Sequence, residues 1–117
     1  MTLFELEDKM EKFTEVNYLF FKESGHLIWK YGTGGNVEIF DIEAYEKGKG
    51  IGKKLVKGLV DKLKENPPHS IFGFTAKKNI NAQGFYKALG FDLIEIENLY
   101  PKGAYIFSMT YKKALKI

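Results

Sequence analysis

Between residues 47 and 53 the chain reads Lys47-Gly48-Lys49-Gly50-Ile51-Gly52-Lys53, three glycines alternating with basic and apolar residues. Val37, Ile39, Phe40 and Ile42 precede it as a short apolar run rich in β-formers, the pattern of a half-buried or central strand. Ile51, Leu55, Val56, Leu59, Val60 and Leu63 follow at the spacing of one helical stripe, with Lys53, Lys54, Lys57, Asp61, Lys62 and Lys64 on the wetter side. The glycines therefore fall at a strand-to-helix junction. Such a turn exposes backbone N–H groups at a helix N-terminus, where the macrodipole also favours negative charge. The chemistry it suits is the binding of a phosphate or pyrophosphate.

Two common phosphate loops fail on spacing. A Walker A loop needs a glycine five positions before the glycine of the Gly-Lys pair, with four residues between, and a hydroxyl after the pair, but Lys47 and Lys54 occupy those positions. The dinucleotide fingerprint G-x-G-x-x-G ends on Lys53 when counted from Gly48 and on Leu55 when counted from Gly50.

The elements that must hold this loop follow from periodicity and turn signals. Tyr18–Phe21 and Leu27–Tyr31 read as strands joined at Glu23-Ser24-Gly25, and a second turn, Gly32–Asn36, leads into the strand at Val37. Pro67 and Pro68 stop the long helix, and Ile71–Thr75 is the next strand, so a parallel βαβ crossover is expected. Phe91–Ile96 and Ala104–Tyr111 close the chain as two strands around a turn at 98–103. Before Tyr18, Leu3, Phe4 and Leu6 suit an edge strand and Asp8–Phe13 a short helical turn.

Composition narrows the class. At 117 residues and 13.4 kDa the chain is read as one domain, with 44% hydrophobic and 15% aromatic residues to build a core. No window approaches the roughly 20 apolar residues of a membrane span, and the N-terminus has no signal-peptide pattern. With no cysteine, neither a disulfide nor a thiolate nucleophile is available, which fits a cytoplasmic protein. Two histidines, His26 and His69, argue against a zinc site, so no metal is expected. The net charge of +3 comes without a dense basic patch, which argues against a nucleic-acid partner.

A second stretch, Asn79–Phe91, reads as a short helix. Asn79 or Asn81 can cap its start, Ala82, Phe85 and Leu89 share a face, and Gly90 suits the position just past its end. Gly84 inside it costs about 1 kcal/mol relative to Ala, so a close neighbour to the backbone is expected there.

Lys47–Gly52 resembles motif A of the GNAT superfamily of acetyl-CoA-dependent N-acetyltransferases, Gln/Arg-x-x-Gly-x-Gly/Ala, with Lys47 at the Gln/Arg position. Asn79–Phe91 looks like motif B of the same family: Asn, then Ala, then Phe-Tyr, with Gly-Phe closing the helix. The resemblance covers residues 37–111, and the residues before Tyr18 are few for the family's usual upstream unit, as in a short member with a reduced acceptor wall. It implies an α/β (α+β) fold: a mixed, mostly antiparallel sheet with a central βαβ unit and helices packed on it. It also implies acetyl-CoA as co-substrate, bound by Ile42 and Glu43 on the strand, by Lys47, Gly48, Lys49, Gly50, Ile51, Gly52 and Lys53 in the loop, and by Asn79, Phe85 and Tyr86 on the second helix.

The implied chemistry is direct attack of an amine, from a small molecule or a protein, on the thioester carbonyl. The Ile42 N–H would polarise that carbonyl, and Tyr86 would act as acid toward the departing sulfur. Glu38, Asp41 and Glu43 are the base candidates; strand alternation puts Glu38 on the face opposite Asp41 and Glu43. A binding module that keeps the acyl-CoA cleft without turnover is the alternative. Tyr100 and Tyr105, near the last hairpin, could support a homodimer.

Overall fold

Glu23 and Ser24 reverse the chain between β1 (Asn17–Phe21) and β2 (Gly25–Tyr31), and Glu23 takes a left-handed φ of 62° to do so. The computed structural model describes residues 17–21, 23–96 and 103–117. The elements expected before Tyr18 lie outside these residues up to position 16, as do most of the 98–103 turn and Tyr100. After the hairpin come β3 (Asn36–Ala44), α1 (Ile51–Lys62), β4 (Ser70–Ala76), α2 (Ile80–Leu89), β5 (Asp92–Ile96), β6 (Ala104–Thr110) and a helical turn, α3 (Tyr111–Ala114). The strands form one sheet in the order β1-β2-β3-β4-β6-β5. Among the described strands only β3 and β4 are parallel, joined by α1, so the expected mixed sheet with a central βαβ unit is the fold observed.

Both long helices pack on the same face of the sheet. Ile51, Leu55, Val56, Leu59 and Val60 of α1, with Leu63 just past it, bury the stripe read from the sequence. They meet Leu27, Trp29, Val37, Ile39, Ile71, Phe107 and Met109, all within the buried core. Each such side chain contributes about 1.5–3 kcal/mol on burial. Among the described residues the Trp29 indole N–H has no hydrogen-bond partner; its ring stands edge-on to Tyr31 at 5.3 Å and 74°. Among the described residues no helix is long and apolar enough to cross a membrane.

Two features of β3 shape the site. Its register against β2 runs Glu38 to Lys30 and Ile39 to Trp29, then skips Phe40 and resumes with Asp41 to Ile28. This bulge resets the two-residue side-chain period, so Ile42 returns to the helix side, opposite Leu27. Glu38, Asp41 and Glu43, paired with Lys30, Ile28 and His26, consequently share the other face, correcting the alternation that would have separated Glu38 from the other two. The second feature is where the parallel ladder ends. β3 and β4 pair from Asn36–Ser70, where Ser70 Oγ donates to Asn36 Oδ1 at 2.8 Å, only to Ile39–Gly73. Beyond that, β3 continues with β2 and β4 with β6, and a wedge opens between them.

The last strand is one residue shorter than expected. Thr110 Oγ1 accepts from the Lys113 N–H at 3.2 Å and caps α3, and the Tyr111 hydroxyl donates to the Val60 carbonyl at 2.7 Å. A side-chain cap there ends the ladder.

Candidate active site

The glycine loop sits at the mouth of the wedge. Gly48 and Gly50 take left-handed φ values of 81° and 69°, and among the described residues beyond their chain neighbours no atom lies within 4 Å of where a Cβ would stand. Gly50 is the N-cap of α1 and brings no capping side chain, and no acidic residue occupies the first turn. The amides there are oriented for an anion. Gly52 has a different reason to be glycine: a Cβ would fall 2.8 Å from Cε1 of Phe85, so its lack of a side chain lets α2 approach α1.

Two adjoining chambers form the cleft. The larger, about 720 Å³, is lined by the loop from Glu46 to Lys53 excepting Lys49, together with Ala44, Asn81, Phe85, Ala88 and Leu89. The smaller, about 280 Å³, reaches Ile42, Glu43, Ala82 and Tyr86. Ala44, Lys47, Gly52, Asn81 and Phe85 line both, which makes the cleft continuous. Lys47 and Lys53 bring positive charge to it, whereas Lys49 pairs at 2.6 Å with Glu46.

On α2, Asn79 Oδ1 accepts from the Ala82 N–H at 3.1 Å, so Asn79 is the helix cap, and Asn81 rather than Asn79 lines the cleft. The close neighbour expected at Gly84 is absent among the described residues: its Cβ position is open for 4 Å. Tyr86 is only 5% exposed. Its ring stacks on Phe107 at 3.6 Å and 11°, with Phe91 and Phe85 edge-on at 5.5 and 5.2 Å. Phe107 can lie there because Gly73 has no side chain to collide with it. Burial pushes the Tyr86 phenol well above the usual tyrosine range, and the charge of Asp41 adds to the shift. The phenol is protonated at any physiological pH.

The three carboxylates differ sharply. Glu43 is exposed and lines the smaller chamber. Glu38 lies beside Phe72 of β4, outside both chambers; burial raises its carboxyl, with Lys30 opposing. Asp41 stands 2.5 Å from Nε2 of His26, a fully buried side chain whose Nδ1 lies 2.7 Å from the Tyr45 hydroxyl. Ligand atoms of His26, Asp41 and Glu43 all fall within 4.8 Å of one another. Sequence reasoning weighed His26 only as a metal ligand and passed over Tyr45 and the cleft position of Asn81. Partners 15 and 19 residues apart, brought together by a bulged antiparallel pair, leave no motif to find.

Residues 10–113 match the family model described as acetyltransferase (GNAT) domain. No curated protein matches the sequence. A GNAT-family protein from Desulfovibrio desulfuricans superposes with a TM-score of 0.74 at 15% identity, over 92% of this chain and 77% of that one. An acetyltransferase from Bacillus subtilis, solved with CoA, gives 0.69 at 17% over 89% and 83%. The ribosomal-protein-S18-alanine N-acetyltransferase of Escherichia coli gives 0.69 at 18% over 92% and 76%. At these identities the superpositions speak for the fold. With the family model spanning most of the sequence, the chain belongs to the GNAT family of acetyltransferases.

Proposed function

We propose that the protein transfers the acetyl group of acetyl-CoA to an amine that attacks the thioester directly in the wedge between β3 and β4. The observation that carries this reading is the continuity of the cleft. One end is an uncapped helix N-terminus with two lysines, and the other is the buried Tyr86 hydroxyl-bearing ring beside the end of β3. A ligand with a diphosphate at one end and a reactive acyl group at the other spans it, and the CoA bound to the similar B. subtilis acetyltransferase supports that identity.

In this reading the amides from Gly48 to Gly52, with Lys47 and Lys53, hold the diphosphate, and the pantetheine arm runs past Asn81, Ala82 and Phe85. The amine lone pair adds to the carbonyl carbon while the Ile42 N–H stabilises the developing oxyanion. The C–S bond then breaks, sulfur keeps the electron pair, and the amine proton goes to a carboxylate at the wedge. A thiol titrates near pKa 8.5 and Tyr86 lies above the ordinary tyrosine range. Tyr86 therefore serves the leaving sulfur as a hydrogen-bond donor, with the proton ultimately supplied by solvent.

The test follows free thiol release from acetyl-CoA against a panel of amines. Acetyl-CoA should raise the unfolding midpoint much more than ATP or NAD at equal concentration; equal shifts would defeat the assignment of the cleft. Tyr86→Phe keeps the ring stack and should lower kcat roughly 10²-fold while Kd for acetyl-CoA hardly moves. If it matches the wild type, Tyr86 is a packing residue.

A further inference from the structure

The helix-facing row of β4 is Ile71, Gly73 and Thr75, across from Met109, Phe107 and Tyr105 of β6. Thr75 is its polar member. It is 7% exposed, and no hydrogen bond within the described residues engages its hydroxyl. Unlike the Trp29 indole N–H, which is unpaired and sealed from solvent, the Thr75 oxygen keeps contact with open space. A hydroxyl without a partner in apolar surroundings is costly. Valine has the same outline and a comparable preference for strands, so packing alone gives no reason for the oxygen. Thr75 stands where the sheet parts. The last parallel pair is Ile39–Gly73, and Thr75 lies two residues past Gly73. Counted through the bulge, Ile42 lies two pairing steps past Ile39, from Trp29 to Leu27 on β2. Ile42 and Thr75 are therefore level on opposite lips of the wedge, both on the helix side. Ile42 lines the smaller chamber, and Thr75, outside the lining of both chambers, faces it from the β4 lip. Tyr86 stacks on Phe107, whose ring crosses Gly73, so the phenol belongs to the adjacent layer of the same strand.

Resting on the acetyltransferase reading above, we infer that Thr75 is a further catalytic residue, its hydroxyl donating to the acyl oxygen of acetyl-CoA from the lip opposite the Ile42 N–H. A thioester carbonyl seated between the two lips meets one donor from each strand. As the amine nitrogen bonds to the carbonyl carbon, the carbonyl π pair moves onto oxygen, and both donors meet the growing charge. The pair returns as the carbon-to-sulfur bond breaks. Sulfur leaves with the bonding electrons, the amine proton goes to a carboxylate at the wedge as above, and Thr75 neither gains nor loses a proton. Because the hydroxyl has no bond inside the fold to give up, it is ready to donate when the ligand arrives. An alcohol does not titrate in the range where enzymes work, so Thr75 sets the height of the pH–rate profile and leaves its limbs to other groups.

Two substitutions separate the oxygen from the packing. Thr75→Val keeps the outline and deletes the donor; Thr75→Ser keeps the donor and loses a methyl group. The valine variant should lose on the order of 10²-fold in kcat, at every pH and with the limbs of the profile unshifted. Its Kd for CoA, which has no acyl oxygen, should not move. The serine variant should retain most of the turnover. Without ligand, the valine variant should unfold at or above the wild-type midpoint. An earlier midpoint, or failure to fold, would mean that the hydroxyl is satisfied inside the fold and would overturn the inference. So would a valine variant as active as the wild type, or a serine variant as impaired as the valine one. Weaker binding of CoA itself would place the contact elsewhere on the cofactor and also overturn it. Infrared spectra of bound acetyl-CoA labelled with ¹³C at the carbonyl give a second readout: the stretch should lie at higher frequency in Thr75→Val, and an unchanged band overturns the hydrogen bond. A wild type that turns over while Thr75→Val is indifferent sinks this inference alone; a wild type that releases no thiol with any amine sinks the acetyltransferase reading with it.

Discussion

The two halves of β3 do different work, and the bulge at Phe40 divides them. From Val37 to Ile39 the strand is paired on both sides, to β2 and to β4, and sends Val37 and Ile39 into the core. From Asp41 to Ala44 it keeps β2 but has parted from β4, and its residues line the cleft or meet His26. One half is frame and the other is site. Because they are contiguous, the geometry of the candidate site is set by a strand that cannot shift without breaking the sheet. Rigid elements hold a constellation better than a loop does, which is the advantage of placing it there.

Three substitutions test that division, in descending order of expected effect. Gly73→Ala attacks the paired half: its Cβ would collide with Phe107 and stand 2.8 Å from the Ile39 carbonyl oxygen, backbone that cannot step aside. A loss of about 3 kcal/mol in denaturant unfolding is expected, and a loss far smaller would show that the frame has slack. Ala44→Phe attacks the released half, filling a position that lines both chambers. It should weaken CoA about tenfold, near 1.4 kcal/mol by titration calorimetry, with the unfolding midpoint little changed; unaltered binding would move the ligand out of this cleft. Glu38→Gln lies on the paired half, on the face shared with Asp41 and Glu43. Burial raises the Glu38 carboxyl. The stability it contributes is therefore complete below its unfolded-state pKa and is lost as pH rises through the folded one. Glutamine should abolish that dependence and leave the protein slightly more stable at neutral pH, by less than about 1 kcal/mol because the group is only half-buried and solvent still screens it. A destabilised variant would mean the Lys30 attraction outweighs burial.

Much of this was legible in the residues themselves. The stripe from Ile51 to Leu63, the prolines after it and the strand at Ile71 carried the crossover, because helical period and chain-stopping residues are local signals. The glycine loop was legible for the same reason, although Gly52 turned out to be shaped by Phe85 and Asn79 by the helix start. What could not be read was set by pairing at a distance. Nothing in Ile39-Phe40-Asp41 announces an extra residue in the ladder, yet that residue decides which face three carboxylates occupy. The enclosure of His26 likewise depends on β2 lying against β3, and the end of β6 on a single threonine cap.

Trp29 carries an optical consequence. It is the sole tryptophan of the chain, 2% exposed, and seated between β2 and α1 rather than at the cleft. An indole so enclosed, with no hydrogen-bond partner for its N–H among the described residues, emits from an apolar environment and is shielded from collisional quenchers in water. Its emission should be indifferent to CoA and shift to the red only when the helix leaves the sheet. The chain thus contains a built-in fluorophore that reports whether the scaffold is intact, separately from whether the cleft is filled.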